Sequence, residues 1–398
     1  MTNAKPKSLL TNVQALRAIA ALLVVCFHPD KLFAYLHIPP FGLGGVDIFF
    51  VVSGFIMVHT TMDRKTTPWE FMRHRLSRIV PIYWVATLAV FAVAVIAPAA
   101  VKTTTSGSVA LIKSLLFIPF SKSGTSTFRP DLFVGWTLNY EMFFYLLFAI
   151  GLAYPRYVVG VRWVCVALGG LVIAGLVANP QGTNLLLFYS DSIVIEFALG
   201  MLIGLYLPRV TVSPSRLNKG LLLSLLVASL ACVVVIPTLA SGNIPRLFTM
   251  GVPATGVVGS ALLLEQCGLV MTNPLVLLLG GASYSLYLTH SFITEASVKL
   301  GNVVHLKAWS AAILIVAMLA LACFVAWVVS QTIELPLSRR VRRWLDHPRG
   351  IGSTAGRAPV PHLRPAAVEA IKMHGTDDDL ARSMEDNGHL SPFGDRAP

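Results

Sequence analysis

The stretch LRAIAALLVVCFH, residues 16–28, sets Arg17 and His28 eleven positions apart in an otherwise apolar run. At ~100° per residue, eleven steps make about three full turns, so the pair shares one helix face roughly 16 Å apart. That is about half of the ~30 Å hydrocarbon core of a bilayer. Ionisable groups in a spanning helix cost roughly 2.5 to 3.5 kcal/mol each and usually face the bundle interior, which points to a functional wall. The alternative is that Arg17 snorkels at the helix entry and His28 opens a loop.

The rest of the chain places this helix in a membrane bundle. Of its 398 residues, 55% are hydrophobic and 13% charged, with a mean hydropathy of +0.71, too apolar for an ordinary soluble fold. Apolar runs near spanning length occur at 9–27, 45–62, 80–100, 132–153, 161–178, 185–207, 221–240, 247–264, 274–293 and 308–332. The expected fold is an all-α polytopic integral membrane protein of about ten transmembrane helices. No small-residue cleavage site follows His28, so the first run is read as a spanning helix and not as a signal peptide.

The net charge of +12 comes from 31 basic and 19 acidic residues. Its basic residues fall in alternate loops: Lys5 and Lys7; Arg64 to Arg78; Arg156 and Arg162; Arg209, Arg216 and Lys219; Arg339 to Arg343. This is the positive-inside pattern, with both termini cytoplasmic, and it argues against nucleic acid as a partner. Residues 102–129, with four basic residues on the outer side, depart from it. Cys26, Cys165, Cys232, Cys267 and Cys323 lack metal-ligand spacing, and neither a metal nor a disulfide framework is expected.

One integral domain is expected over residues 9–337, a basic juxtamembrane stretch over 338–345 and a disordered cytoplasmic tail over 346–398, where the composition turns polar. The basic stretch suits topology anchoring and anionic membrane lipid. The apolar piece 110–120 is too short to span and suits an interfacial or re-entrant segment.

Four further motifs carry polar groups in apolar surroundings. GGVDIFFVVSGFIM, from Gly44, brings Asp47 close in depth to His28; a carboxylate there could orient the imidazole as a general base, or cap its own helix. FMRHRLSRIVPIYW, from Phe71, offers Arg73, Arg75 and Arg78 at the depth of Arg17, and guanidinium groups bind diphosphates in a bidentate way. The same arginines could be ordinary positive-inside charge. WTLNYEMFFY carries Trp136, Asn139 and Glu141, with Glu141 either paired to Arg17 or holding an acceptor hydroxyl. Asp191 and Glu196 are read as a polar cavity wall. In GGASYSLYLTH, small residues suit tight packing while Tyr284, Tyr287 and His290 lie near the outer end, His290 being a candidate second catalytic group.

Taken together in this order, the five motifs resemble the membrane acyltransferase family 3, and within it the exopolysaccharide-production O-acetyltransferases, over about residues 12–337. The resemblance implies a ten-helix, multi-pass enzyme of the bacterial inner membrane that moves acyl groups from cytoplasmic acyl-coenzyme A to hydroxyls of surface glycans. It maps the R-x10-H pair onto Arg17 and His28, and an RxR pair onto Arg73 and Arg75. Acetyl-coenzyme A would be a co-substrate, with no bound cofactor. The acceptor would be a polysaccharide or its lipid-linked oligosaccharide precursor. His28 would deprotonate the acceptor or carry the acyl group itself. Transfer of succinyl or another acyl group to a different acceptor is the alternative enzyme reading. Outside enzymes, a glycan or polar-solute transporter using Glu141, Asp191 and Glu196 would need paired halves, and no internal repeat is visible.

Overall fold

A computed structural model describes residues 10–97, 107–121, 128, 130–178, 185–239, 244–304 and 306–346. In chain order the helices are α1 (Thr11–Phe27), α2 (Asp30–Ala34), α3 (Gly45–Thr61), α4 (Pro68–Ile96) and α5 (Ser108–Leu115). Next come α6 (Trp136–Leu152), α7 (Tyr157–Ala178), α8 (Leu185–Tyr189), α9 (Val194–Tyr206) and α10 (Arg216–Leu239). The last are α11 (Val252–Gln266), α12 (Pro274–Gly281), α13 (Ser283–Val304), α14 (Ala308–Val329) and α15 (Leu335–Asp346). Among the described residues, extended pairing is confined to one bridge between Ser121 and Phe128. The architecture is therefore all-helical.

Among the described residues, seven helical stretches, against the ten expected, are long and apolar enough to cross a membrane: Pro68–Ile96, Phe133–Leu152, Tyr157–Ala178, Leu185–Arg209, Arg216–Thr238, Leu247–Gln266 and Ala308–Asp346. The chain is a multi-pass membrane protein. The run at 274–293, expected as one straight span, is instead the pair α12 and α13, bent by 77°. The break falls at Gly280, Gly281 and Ala282, where a Cβ on Gly280 would lie 2.1 Å from the Gln14 carbonyl oxygen. Close packing against α1 thus sets where the helix turns. The basic stretch 338–345 lies within α15, which continues α14 through the wide turn Ser330–Glu334. The expected tail, apart from Asp346, lies outside the described residues, as do residues 102–106, 122–127 and 129 of the outer stretch 102–129.

Two packing devices hold the helices that build the site. α3 and α9 approach closely because Gly54 and Gly200 face each other's backbones: added Cβ atoms would sit 2.2 Å from the Phe197 oxygen and 2.0 Å from the Val51 oxygen. Small residues allow such contact where apolar lipid supplies no hydrophobic drive to associate. Beside them an aromatic core forms, with the rings of Phe144 and Phe197 stacked at 4.1 Å and those of Tyr140 and Phe188 also at 4.1 Å. α4 starts sharply, since Thr67 accepts a hydrogen bond from the Glu70 amide at 3.2 Å and Pro68 occupies the first turn.

Candidate active site

Five helices enclose a cavity of about 110 Å³, to which α1 contributes Arg17, α4 Arg75 and Arg78, and α6 Glu141 and Tyr145, with Tyr284 from α13. Arg17 is buried and donates to the Gln14 side chain at 3.2 Å. The Arg75 guanidinium lies over the rings of Phe71 and Tyr145, 5.4 and 5.6 Å from their centroids, a cation–π seat that fixes its direction. Glu141 accepts hydrogen bonds from Tyr145 and, at 3.3 Å, from Ser53. Tyr284 donates to the Ile79 carbonyl at 3.0 Å. Three arginines and one carboxylate line the space, with the buried Glu334 as a second carboxylate near Arg17, so positive charge is in excess by one.

A second cavity, about 270 Å³, adjoins the first and is lined by His28, Phe27, Gly42, Phe128, Phe133 and Trp136, among others. Gly42 is required here: its φ is +96° and a Cβ would lie 2.1 Å from the Leu23 carbonyl oxygen. His28 is the residue after α1, and its Nδ1 lies 2.8 Å from the Val24 carbonyl oxygen. A carbonyl only accepts, so Nδ1 carries the proton and Nε2 is left with a lone pair. The Nε2 atom of buried His290 lies 3.3 Å from the same Nδ1. His290 in turn points its Nδ1 at the Leu286 carbonyl oxygen, 3.1 Å away, so its Nε2 is also an acceptor. Both imidazoles are held in one tautomer, and His28 keeps a basic nitrogen for the cavity.

The structure separates some residues that the sequence grouped. Asp47 does not orient His28. It is wholly buried and takes two hydrogen bonds from Arg246, at 3.1 and 2.8 Å, with Glu196 beside the pair. Its neighbour Val46, a helical step of ~100° away, is the α3 residue that faces both cavities. Arg73 and Arg75 do not form a common pair. Positions two apart on a helix do not share a face, and Arg73 turns to α15, binding Asp346 at 3.1 Å and the Leu345 carbonyl at 3.1 Å. Arg75 and Arg78, three apart, do share one. Glu141 reaches Tyr145 and Ser53 in place of the expected pairing with Arg17. Trp136 lies in the histidine cavity, whereas Asn139 is buried with its Oδ1 unpartnered among the described residues. Arg246 was not singled out in the sequence, and no local signal marks it.

Comparison with known proteins identifies the family. Residues 10–331 match the acyltransferase domain that defines acyltransferase family 3. The exopolysaccharide production protein ExoZ of Rhizobium meliloti (strain 1021) is 35% identical over 312 residues, 76% of this chain and 91% of that one. Acyltransferase MdmB of Streptomyces mycarofaciens is 26% identical over 381 residues, covering 84% and 93% of the two chains. No solved structure matches. The match spans both cavities and the helices that build them, and the chain belongs to acyltransferase family 3, membrane enzymes that transfer acyl groups.

Proposed function

We propose that this enzyme is an O-acetyltransferase that takes the acetyl group of acetyl-coenzyme A and places it on a sugar hydroxyl of a surface polysaccharide or its lipid-linked precursor. The observation that carries this reading is the pair of adjoining cavities, one walled by Arg17, Arg75 and Arg78 and the other by His28. Clustered guanidinium groups suit the diphosphate of coenzyme A. An imidazole with a free Nε2 suits removal of a hydroxyl proton. Rings at Phe27, Phe133 and Trp136 offer apolar faces for a sugar, in a space near the lower end of the ~300–1,000 Å³ range of small-molecule sites. The similarity to ExoZ, named for exopolysaccharide production, supports a glycan acceptor.

In the reaction, His28 Nε2 takes the hydroxyl proton as the sugar oxygen bonds to the thioester carbonyl carbon. The carbon–sulfur bond then breaks, and the proton passes to the departing thiolate. Because α1 carries Arg17 and His28 about three turns apart, donor phosphates and reacting carbonyl occupy opposite halves of the bundle. On this reading the bent pair α12 and α13 counts as one span, and the shorter apolar helices α1 and α3, of 17 residues each, cross as well, for ten in all. With ten spans, the basic loops inside support both termini in the cytoplasm, and the reading sets the enzyme in the bacterial inner membrane. Residues 9–337 then form the catalytic domain, and 338–345 a membrane-surface anchor.

The test measures the acyl groups of host surface polysaccharide in a deletion strain, the same strain with the wild-type gene, and the strain with His28→Ala. Loss on deletion, recovery with wild type alone and an acetyl mass increment on the sugar are expected. A succinyl mass would replace the donor, and unchanged polysaccharide in all three strains would overturn the acceptor.

A further inference from the structure

The arginines and His28 stand in different cavities, and the wall between those cavities is thin. Val46 of α3 and Tyr287 of α13 line both. Tyr287 is pinned: its hydroxyl lies 2.6 Å from that of Thr137 and donates to the Val134 carbonyl at 2.9 Å. Phe49 adds an edge-on ring 6.1 Å from that of Tyr287. Tyr284, Tyr287 and His290 recur every three residues along α13, so one helix face leads from the arginine cavity, across the wall, to His28. A donor held by its phosphates at Arg17, Arg75 and Arg78 brings its thioester to His28 only by passing this wall.

We infer that Val46 and Tyr287 form an acyl-selecting neck, admitting a short acyl thioester into the histidine cavity and retarding longer chains. The inference rests on the donor reading given above. The neck is suited to this because its two sides differ. Val46 presents a stiff, branched, apolar side chain with few rotamers, and the Tyr287 ring is tethered at its far end to α6 and to the turn before it. Neither wall can swing aside without breaking a hydrogen bond or straining a helix. Discrimination then follows from size, and one methylene in an apolar passage is worth ~10- to 200-fold in rate.

The experiment uses the full-length chain in liposomes, with acetyl-, butyryl- and hexanoyl-coenzyme A as donors and polysaccharide from the deletion strain as acceptor. Product mass gives the transfer rate for each donor, and binding of free coenzyme A is measured separately. Wild type is expected to prefer acetyl over hexanoyl by at least ~10-fold. Val46→Ala should raise the hexanoyl-to-acetyl ratio by ~10-fold or more. Val46→Phe should cut transfer of all three donors while free coenzyme A still binds. Tyr287→Phe, which releases the tether and keeps the ring, should shift the ratio in the same direction as Val46→Ala and by less. An active wild type whose chain-length ratio is unchanged in Val46→Ala and Tyr287→Phe overturns the neck alone. A wild type that transfers none of the three overturns the donor reading, and the neck with it.

Discussion

Two groups of charge lie inside this bundle, and they differ in what they face. Arg17, Arg75, Arg78 and Glu141 turn toward a cavity. Asp47 and Arg246 turn toward one another, with Glu196 beside them and both carboxylates wholly buried. Sequence alone treats the two alike, since each puts ionisable residues into apolar helices. The difference teaches that burial marks a charge as needing a partner, whereas an adjoining cavity leaves it available to a ligand. The first group should therefore govern binding and rate, and the second should govern whether the bundle forms.

The sharpest test of this contrast lies at His28, a cavity-facing group with a free ring nitrogen. His28→Ala should lower acyl transfer by ~10²- to 10⁴-fold, the range of a general base. Its elution from size-exclusion in detergent and its thermal midpoint should match wild type. Loss of the folded protein along with the activity would break the contrast at its strongest point.

Arg246→Ala is the converse. Removing one partner of a buried pair leaves Asp47 uncompensated and is expected to cost ~3–5 kcal/mol of stability. Less folded protein and a lower thermal midpoint should result. The double replacement Asp47→Leu with Arg246→Met should recover much of the loss, because paired apolar side chains can stand in for a buried ion pair. A double variant as unstable as the single one would show that the charges do more than hold helices.

Arg75→Ala should weaken binding of free coenzyme A by ~10- to 100-fold, as expected for loss of a charge-assisted hydrogen bond, and leave the thermal midpoint close to wild type. A large fall in stability instead would assign Arg75 to the sealed group, its seat over Phe71 and Tyr145 then being structural.

What could be read in the sequence was what one helix determines by itself. Arg17 and His28 fall on one face of α1 by periodicity, and ten apolar runs forecast the helical segments. Contacts between distant segments were another matter. Asp47 and Arg246 are 199 residues apart, and the two histidines 262. Asp47 next to His28 in depth was a reasonable partner, yet the register of α3 turns Val46 to the cavities and Asp47 away. The bend between α12 and α13 was hidden for the same reason: its cause is the backbone of α1 against Gly280, which no local pattern in GGASYSLYLTH reveals.

The smallest expected effect tests the one place where helical periodicity overrides a motif. Arg73 and Arg75 stand two apart, about 200° around α4, so a ligand in the arginine cavity meets Arg75 and Arg78. Arg73 is occupied by Asp346 and the Leu345 carbonyl of α15. Both partners are partly exposed, with side-chain accessibilities of 22% and 39%, which keeps the pair near the ~0–1 kcal/mol of surface ion pairs. Arg73→Ala should change coenzyme A affinity by less than ~5-fold and stability by no more than that small amount, while Arg78→Ala weakens the affinity further than Arg73→Ala does. If Arg73→Ala instead costs as much affinity as Arg75→Ala, then α15 must release Arg73 when the donor arrives. The charge that the free structure spends on α15 would then belong to the cavity-facing group.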